Sequence, residues 1–96
     1  MKKMKYKHYV IMNTCVDSDM YDGHRIIAVA HSIREAKKKL KAEVIAEKEI
    51  IKSEYENFNI SILTDREEVF KYSVEDRFDK TKYYSRVTIY IVGVSK

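Results

Sequence analysis

One stretch of the chain, residues 32 to 56, has the apolar spacing of an α-helix. Six of its side chains recur about every 3.6 residues and form one stripe: Ile33, Ala36, Leu40, Val44, Ile51 and Tyr55. Ser32 and Glu35 open the stretch as a capping box, in which the serine oxygen accepts from a free backbone N–H and the glutamate reaches back to the cap. We therefore predict a single long helix, which can cover only one face of a sheet.

The apolar runs on either side of this helix have the spacing of β-strands. They are rich in aromatic and β-branched residues and comprise residues 5–16, 25–30, 58–63, 69–74 and 83–94. Asp22 and Gly23 form a turn signal between the first two runs, which predicts a hairpin. Because the other connections are short as well, antiparallel pairing is favoured.

These elements predict one α+β domain over residues 1–96, with residues 1–4 as a disordered start. Its two layers would be one antiparallel sheet of about five strands, in the order β-β-α-β-β-β, and one long helix on one face. The length of 96 residues fits one domain. With no proline and two glycines, the chain lacks the composition of a linker or a low-complexity tail.

Composition also restricts the cellular setting and the kinds of partner. One cysteine cannot form an internal disulfide, and no apolar run has the length of a signal-peptide core or a membrane span. We therefore expect a cytoplasmic protein without a membrane partner. The net charge of +4 permits an acidic partner without requiring one.

The acidic stretch at residues 17–24 is the strongest apparent metal motif. Asp17 and Asp19 match ligand positions 1 and 3 of a calcium loop, but Tyr21 takes position 5, and the flanking runs are strands. Aspartates beside Gly23 are also typical of a turn. We favour the turn and predict no metal site, while a loosely bound cation remains the alternative.

No catalytic constellation stands out from the sequence. The chain has no phosphate-binding glycine loop and no zinc-ligand spacing, so we predict no cofactor. His24 and His31 are seven residues apart, an odd number, which sends them to opposite faces of a strand. Cys15 is interpreted as a small core residue, although a nucleophile beside a histidine is the alternative. A non-enzymatic protein is therefore expected.

The front half of the predicted helix is strongly basic. Arg34, Lys37, Lys38 and Lys41 lie at the end where the helix dipole is already positive. They are candidate anion-binding or nucleic-acid-binding residues. The favoured alternative is a lysine face exposed to solvent. Ion pairs such as Glu35 with Lys39 would reduce its repulsion by the helix dipole.

The first and last strands carry large side chains on both of their faces. A two-layer domain buries only one of these faces, so we predict that a partner covers the other. The candidate partner-binding residues on the sheet are Tyr9, Tyr84, Arg86 and Tyr90. The alternative is that both strands are packed on both sides within the domain, with residues 75–82 folded over them.

Three functions are compatible with these features. The first is a non-enzymatic protein-binding module, expected to be a homodimer, which covers a partner's surface. The second is a nucleic-acid-binding protein that uses the basic helix face and stacks bases on tyrosine and arginine. The third is a small basic ribonuclease that needs no metal and depends on His24 or His31.

In its size and its lysine-rich, glycine-poor composition, the chain is similar to small proteins of bacterial viruses and mobile elements. Some of those proteins, anti-CRISPR proteins among them, bind and inhibit host machinery. The resemblance implies a phage or mobile-element inhibitor or adaptor that acts by binding another protein.

Overall fold

The computed structural model describes residues 8–17, 22–79 and 81–95. The predicted disordered start at residues 1–4 and the aspartate at position 19 lie outside the described residues. Within the described residues the chain forms five strands and one helix: β1 (His8–Asp17), β2 (Asp22–Ala30), α1 (Ile33–Glu54), β3 (Asn59–Asp65), β4 (Val69–Glu75) and β5 (Tyr83–Val94).

The five strands form one antiparallel sheet in the order β2-β1-β5-β4-β3. The predicted fold class is confirmed, including the hairpin of β1 and β2 and the single helix on one face. The longest pairing joins β1 to β5, with Ile11 opposite Ile91 and Asn13 opposite Ile89. Because α1 connects the two edge strands β2 and β3, it must pass across the sheet between them.

The hydrophobic core lies between α1 and the side of the sheet that it covers. Ala36, Leu40 and Val44 are the buried residues of the predicted helical stripe. The sheet contributes six buried residues to the same core, which are Ile11, Ala30, Phe70, Tyr72, Val87 and Ile89. The ends of the stripe are different, because Ile33 and Tyr55 are exposed at 38% and 62%. Only the middle of the stripe is therefore buried core.

The predicted capping box begins α1. Ser32 is the N-cap, and its Oγ accepts a 3.1 Å hydrogen bond from the backbone N–H of Glu35. The Glu35 carboxylate accepts in turn from the backbone N–H of His31 at 2.9 Å. This bond, followed by the bond from Lys39, holds the pKa of Glu35 below its ordinary value. The start of the helix is thus determined by local hydrogen bonds.

The described residues include no helical segment with the length and apolar character needed to cross a membrane.

Candidate functional site

The side of the sheet opposite α1 carries no other described helix or strand, and we call it the helix-free face. The antiparallel register shows which residues share it, because directly opposed residues point to the same side. Val10 of β1 is opposite Val29 of β2 and Val92 of β5. Met12 is likewise opposite Ile26 and Tyr90. The even-numbered residues of β1 therefore mark this face.

One half of the helix-free face is apolar over four strands. We call this region the apolar patch, and its residues are Val10, Met12, Ile26, Val29, Val69, Tyr90, Val92 and Val94. Ile26 and Val29 are exposed at 58% and 46%, and the other six are half-buried. All eight are uncharged. Such a group of neighbouring apolar side chains is typical of a surface that another molecule covers.

The other half of the helix-free face is polar and largely satisfied within the chain. The guanidinium of Arg86 lies 4.1 Å from the centre of the Tyr83 ring. Glu75 Oε1 accepts hydrogen bonds of 3.0 Å from Asn59 Nδ2 and from Ser61 Oγ. Between these groups, Ser73 is buried, and its hydroxyl has no hydrogen-bond partner among the described residues. The arrangement forms a polar border beside the apolar patch.

The four predicted partner-binding residues do not share one surface. Arg86 and Tyr90 lie on the helix-free face, opposite Val16 and Met12 of β1. Tyr9 lies on the other side, packed against the core with Ile11. The first and last strands are neighbours in the sheet, so Arg86 and Tyr90 lie beside β1.

Tyr84, the fourth of these residues, is displaced by an irregularity in the pairing of β4 with β5. Glu75 pairs with Tyr83, so Tyr84 is left out of the register. The ring of Tyr84 packs edge-on against Phe58 at 5.5 Å. Its hydroxyl donates to Asp76 Oδ2 at 3.0 Å, and this bond raises the pKa of Tyr84. Tyr83, rather than Tyr84, therefore accompanies Arg86.

The segment that follows β4 lies at the opposite end of the sheet from the apolar patch. Asp76 accepts from the backbone N–H groups of Phe78 and Asp79 at 2.8 and 3.0 Å. The bond from Phe78, followed by those from Tyr84 and Asp79, lowers the pKa of Asp76. The segment leads into Tyr83, whereas Val94 is eleven residues further along β5. Its described part is therefore placed beside Tyr83 and not over Val92.

The four predicted basic residues do come together on α1, along one wall of a groove. We call it the α1 groove. It has a volume of about 890 Å³ and lies between α1 and the β3–β4 connection. Its lining includes the predicted residues, which are Arg34, Lys37, Lys38 and Lys41. The apolar part of the lining is Ile33, Leu40, Val44 and Ile45. The groove thus combines an aliphatic floor with a basic rim.

Two lysines of α1 form ion pairs with the opposite wall of this groove. Lys37 Nζ lies 3.0 Å from Glu67 Oε2, and Lys48 Nζ lies 2.7 Å from Asp65 Oδ2. The hydrogen bond from Lys37 to Glu67 raises the pKa of Lys37. Lys48 also lies 5.7 Å from the centre of the Phe70 ring. These contacts bridge α1 and the residues from Asp65 to Glu67 on the other side of the groove.

A smaller polar cluster lies on the covered side of the sheet. Tyr72 Oη donates to Glu47 Oε1 at 2.5 Å, and burial, with this bond, raises the pKa of Tyr72 far above its ordinary value. Cys15 Sγ lies 3.5 Å from Ser85 Oγ. Cys15 and Glu47 also line a second depression, of about 670 Å³. Glu47 thus lies at the edge of the helical stripe, and its hydrogen bond with Tyr72 explains why an acidic residue is found there.

His24 and His31 are far apart on the described chain. His24 lies near the start of β2, and His31 follows the end of β2. Seven residues at about 3.4 Å each separate them by roughly 20–24 Å. Within residues 8–17, 22–79 and 81–95, no three His, Cys, Asp or Glu side chains are grouped as metal ligands would be. His24 and His31 therefore offer no shared acid–base site.

Two exposed features of the structure have little signal in the sequence. Ile26 and Val29 contribute the most exposed side chains of the apolar patch, but they lie in a short run that was interpreted only as a strand. Phe78 is 94% exposed, on a segment that Asp76 holds by hydrogen bonds. An isolated phenylalanine among charged residues was its only signal in the sequence.

Comparisons of the chain with protein-family models, curated proteins and solved structures gave no match.

Proposed function

We propose that the protein is a non-enzymatic protein-binding module that pairs with a second copy of itself through the helix-free face. The observation that supports this most directly is the apolar patch, which spans β2, β1, β5 and β4 on the side away from α1. An apolar centre with a polar border is the usual anatomy of a protein interface. Here the border is formed by the Arg86–Tyr83 and Glu75 networks.

The occupant favoured by the chemistry of this face is a second copy. An interface between identical chains brings the same patch together with itself, so uncharged side chains meet without repulsion. A nucleic acid would instead require cations and free aromatic rings across the face. Arg86 already lies over Tyr83, and Tyr84 is held by Phe58 and Asp76. Nucleic-acid binding therefore has less support.

The helix-free face is large enough for a stable dimer. Five strands spaced about 4.8 Å apart, with about 3.4 Å of rise per residue, give a surface of roughly 600–900 Å². A standard protein interface buries about 800 Å² on each partner. Two such faces would pack about 10 Å apart, as in other sandwiches of sheets.

The dimer would present both α1 helices on its outer sides, where each remains open to a further partner. Covering the surface of another protein is how an inhibitor or adaptor of a phage or mobile element would act. We propose that the dimer acts as such an inhibitor or adaptor in the cytoplasm.

The dimer is tested by sedimentation equilibrium of the wild-type protein and two matched variants. Ile26 and Ile45 have nearly the same exposure, 58% and 57%, but Ile26 belongs to the apolar patch and Ile45 lines the α1 groove. We expect a dimer for the wild type and for Ile45→Glu, and a monomer for Ile26→Glu. A wild-type protein that remains monomeric at millimolar concentration would refute the proposal.

Binding to a random single-stranded oligonucleotide tests the nucleic-acid alternative. Phosphate contacts release counterions, so such binding must weaken steeply between 50 and 200 mM salt. If the protein is a protein-binding module, we expect it not to bind the oligonucleotide even at the lower salt concentration. Salt-dependent binding that is lost in Arg86→Ala would favour the nucleic-acid function instead.

A further inference from the structure

We infer that the α1 groove binds an acidic, amphipathic segment of a protein partner. The inference rests on the proposed function only in assigning a protein-binding role, and it does not require the dimer. The groove lies on the covered side of the sheet, away from the apolar patch. It therefore gives the protein a second interface of different chemistry.

The apolar residues of the groove supply anchoring positions. Leu40 and Val44 are almost fully buried and form the floor, while Ile45 is 57% exposed beside them. Ile33 extends this surface toward the start of the helix. From Ile33 to Lys48 the groove follows α1 for about 22 Å, at 1.5 Å per residue. That length matches a partner helix of about four turns, which docks through apolar residues at i, i+3, i+4 and i+7.

The charges around the groove determine the chemistry of the partner. Lys37 and Lys48 are neutralised by Glu67 and Asp65. Arg34, Lys38 and Lys41 form no ion pair with any described residue, so positive charge is left over along the helix side. A partner with glutamates or aspartates beside its apolar anchors would neutralise this charge.

The same charges argue against a second copy and against nucleic acid in this groove. A second copy would bring a lysine-rich wall against an identical wall. A nucleic acid would place phosphates near the carboxylates of Asp65, Glu67 and Glu68. The apolar lining consists of aliphatic side chains, which offer no aromatic ring for base stacking. An amphipathic protein segment can instead keep its carboxylates beside Arg34, Lys38 and Lys41 and turn its apolar residues toward Ile45.

The test uses a synthetic amphipathic peptide of about 16 residues, with leucines at i, i+3, i+4 and i+7 and glutamates elsewhere. Its binding to the full chain is measured by fluorescence anisotropy, and its site is mapped by amide chemical-shift changes. We expect shifts along α1 at Lys37, Lys41 and Ile45 and on the β3–β4 connection. A peptide with lysine in place of glutamate should bind at least about tenfold more weakly.

Two pairs of variants locate the interaction. Ile45→Glu should weaken binding of the acidic peptide by about tenfold or more, because an aliphatic anchor is lost. Ile50→Glu is its control, since Ile50 is 53% exposed on the same helix but does not line the groove. Lys41→Glu should also weaken binding, whereas Lys52→Glu, in the last turn of α1, should not.

Three results would overturn the inference. The first is equal binding by Ile45→Glu and Ile50→Glu, and the second is chemical-shift changes confined to other surfaces. The third is a single-stranded oligonucleotide that binds the same residues as tightly as the peptide, because the occupant would then be a nucleic acid. Ile26→Glu separates this inference from the dimer, since it should abolish dimerisation and leave peptide binding unchanged.

Discussion

The hydroxyl of Tyr72 on β4 donates a 2.5 Å hydrogen bond to the carboxylate of Glu47 on α1, across 25 positions of the chain. Tyr72 is 7% exposed, and its burial, with this carboxylate as acceptor, raises its pKa above an ordinary value that already keeps the hydroxyl protonated at neutral pH. The bond ties the second half of the helix to the sheet. It also accounts for an acidic residue at the edge of an apolar stripe.

Tyr72→Phe is therefore expected to destabilise the protein. Removing the hydroxyl leaves the part-buried Glu47 carboxylate without its donor, which costs about 1.5–3 kcal/mol for a hydrogen bond to a charged group. Urea denaturation followed by circular dichroism measures the loss. Tyr55→Phe is the control, because Tyr55 is 62% exposed and should change the free energy of unfolding by less than about 0.5 kcal/mol. Equal stability of the two variants would contradict the role of the bond.

The helix start gives a second prediction. Ser32→Ala removes the oxygen that accepts from the Glu35 backbone N–H, so one free donor of the first turn loses its partner. We expect a loss of about 1 kcal/mol in the free energy of unfolding. Ser32→Asp should retain most of the stability, since aspartate is an equally good N-cap. A result in which alanine and aspartate behave alike would show that the cap contributes little.

The capping box also shows which features could be predicted from the sequence. Its hydrogen bonds connect residues three or four positions apart, so local spacing reveals them. The strands and the single helix can also be predicted locally. The alternation of a strand and the 3.6-residue period of a helix are both patterns between residues that are close in the sequence. The confirmed α+β fold follows from these local patterns together with short connections.

The composition of the surfaces could not be predicted in this way. Alternation shows that Tyr9 and Val10 point to opposite sides of β1, but not which of them shares a side with Tyr90 of β5. That depends on the register that sets Met12 opposite Tyr90, across 78 positions of the chain. The irregularity between Val74 and Glu75 also leaves Tyr84 out of the pairing of β4 with β5. Alternation along the sequence does not reveal such an irregularity. Register is determined by core packing, which the local sequence does not specify.

The lowered pKa of Asp76, in the segment after β4, leads to a third prediction, which concerns the pH dependence of stability. The folded-state pKa of Asp76 is lowered by the backbone N–H of Phe78 and by Tyr84, so the unfolded chain binds this proton more readily than the folded chain. The resulting stabilisation is present above the unfolded pKa, near 3.9, and is lost as the pH falls through the folded pKa.

Asp76→Asn should accordingly cost stability at pH 7 and much less at about pH 3. Denaturation curves of the variant and the wild type at both pH values measure this difference. Glu49→Gln, at an exposed position of α1, is a control for the general effect of removing one negative charge. A difference between Asp76→Asn and wild type that stays constant with pH would contradict the assignment.

A fourth prediction distinguishes packing of the helix-free faces from pairing of edge strands. Val92 lies on β5, a central strand, and belongs to the apolar patch, where it is opposite Val10. Val92→Thr keeps the shape and the strand preference but places a hydroxyl in the interface, so the dissociation constant of the dimer should rise about fivefold or more. A dimer formed by edge-to-edge pairing of β2 would be unaffected, and that result would exclude the face-to-face arrangement.

The last prediction concerns the independence of the two surfaces. The apolar patch and the α1 groove lie on opposite sides of the sheet and share no lining residue, so substitutions in one should not alter the other. The double variant Ile26→Glu with Ile45→Glu should therefore be monomeric with the same weak peptide binding as Ile45→Glu alone. Peptide titrations of the wild type at concentrations above and below the dimer dissociation constant should give one affinity. If the affinity instead changed with the oligomeric state, the two interfaces would be coupled, and partner binding would regulate assembly of the dimer.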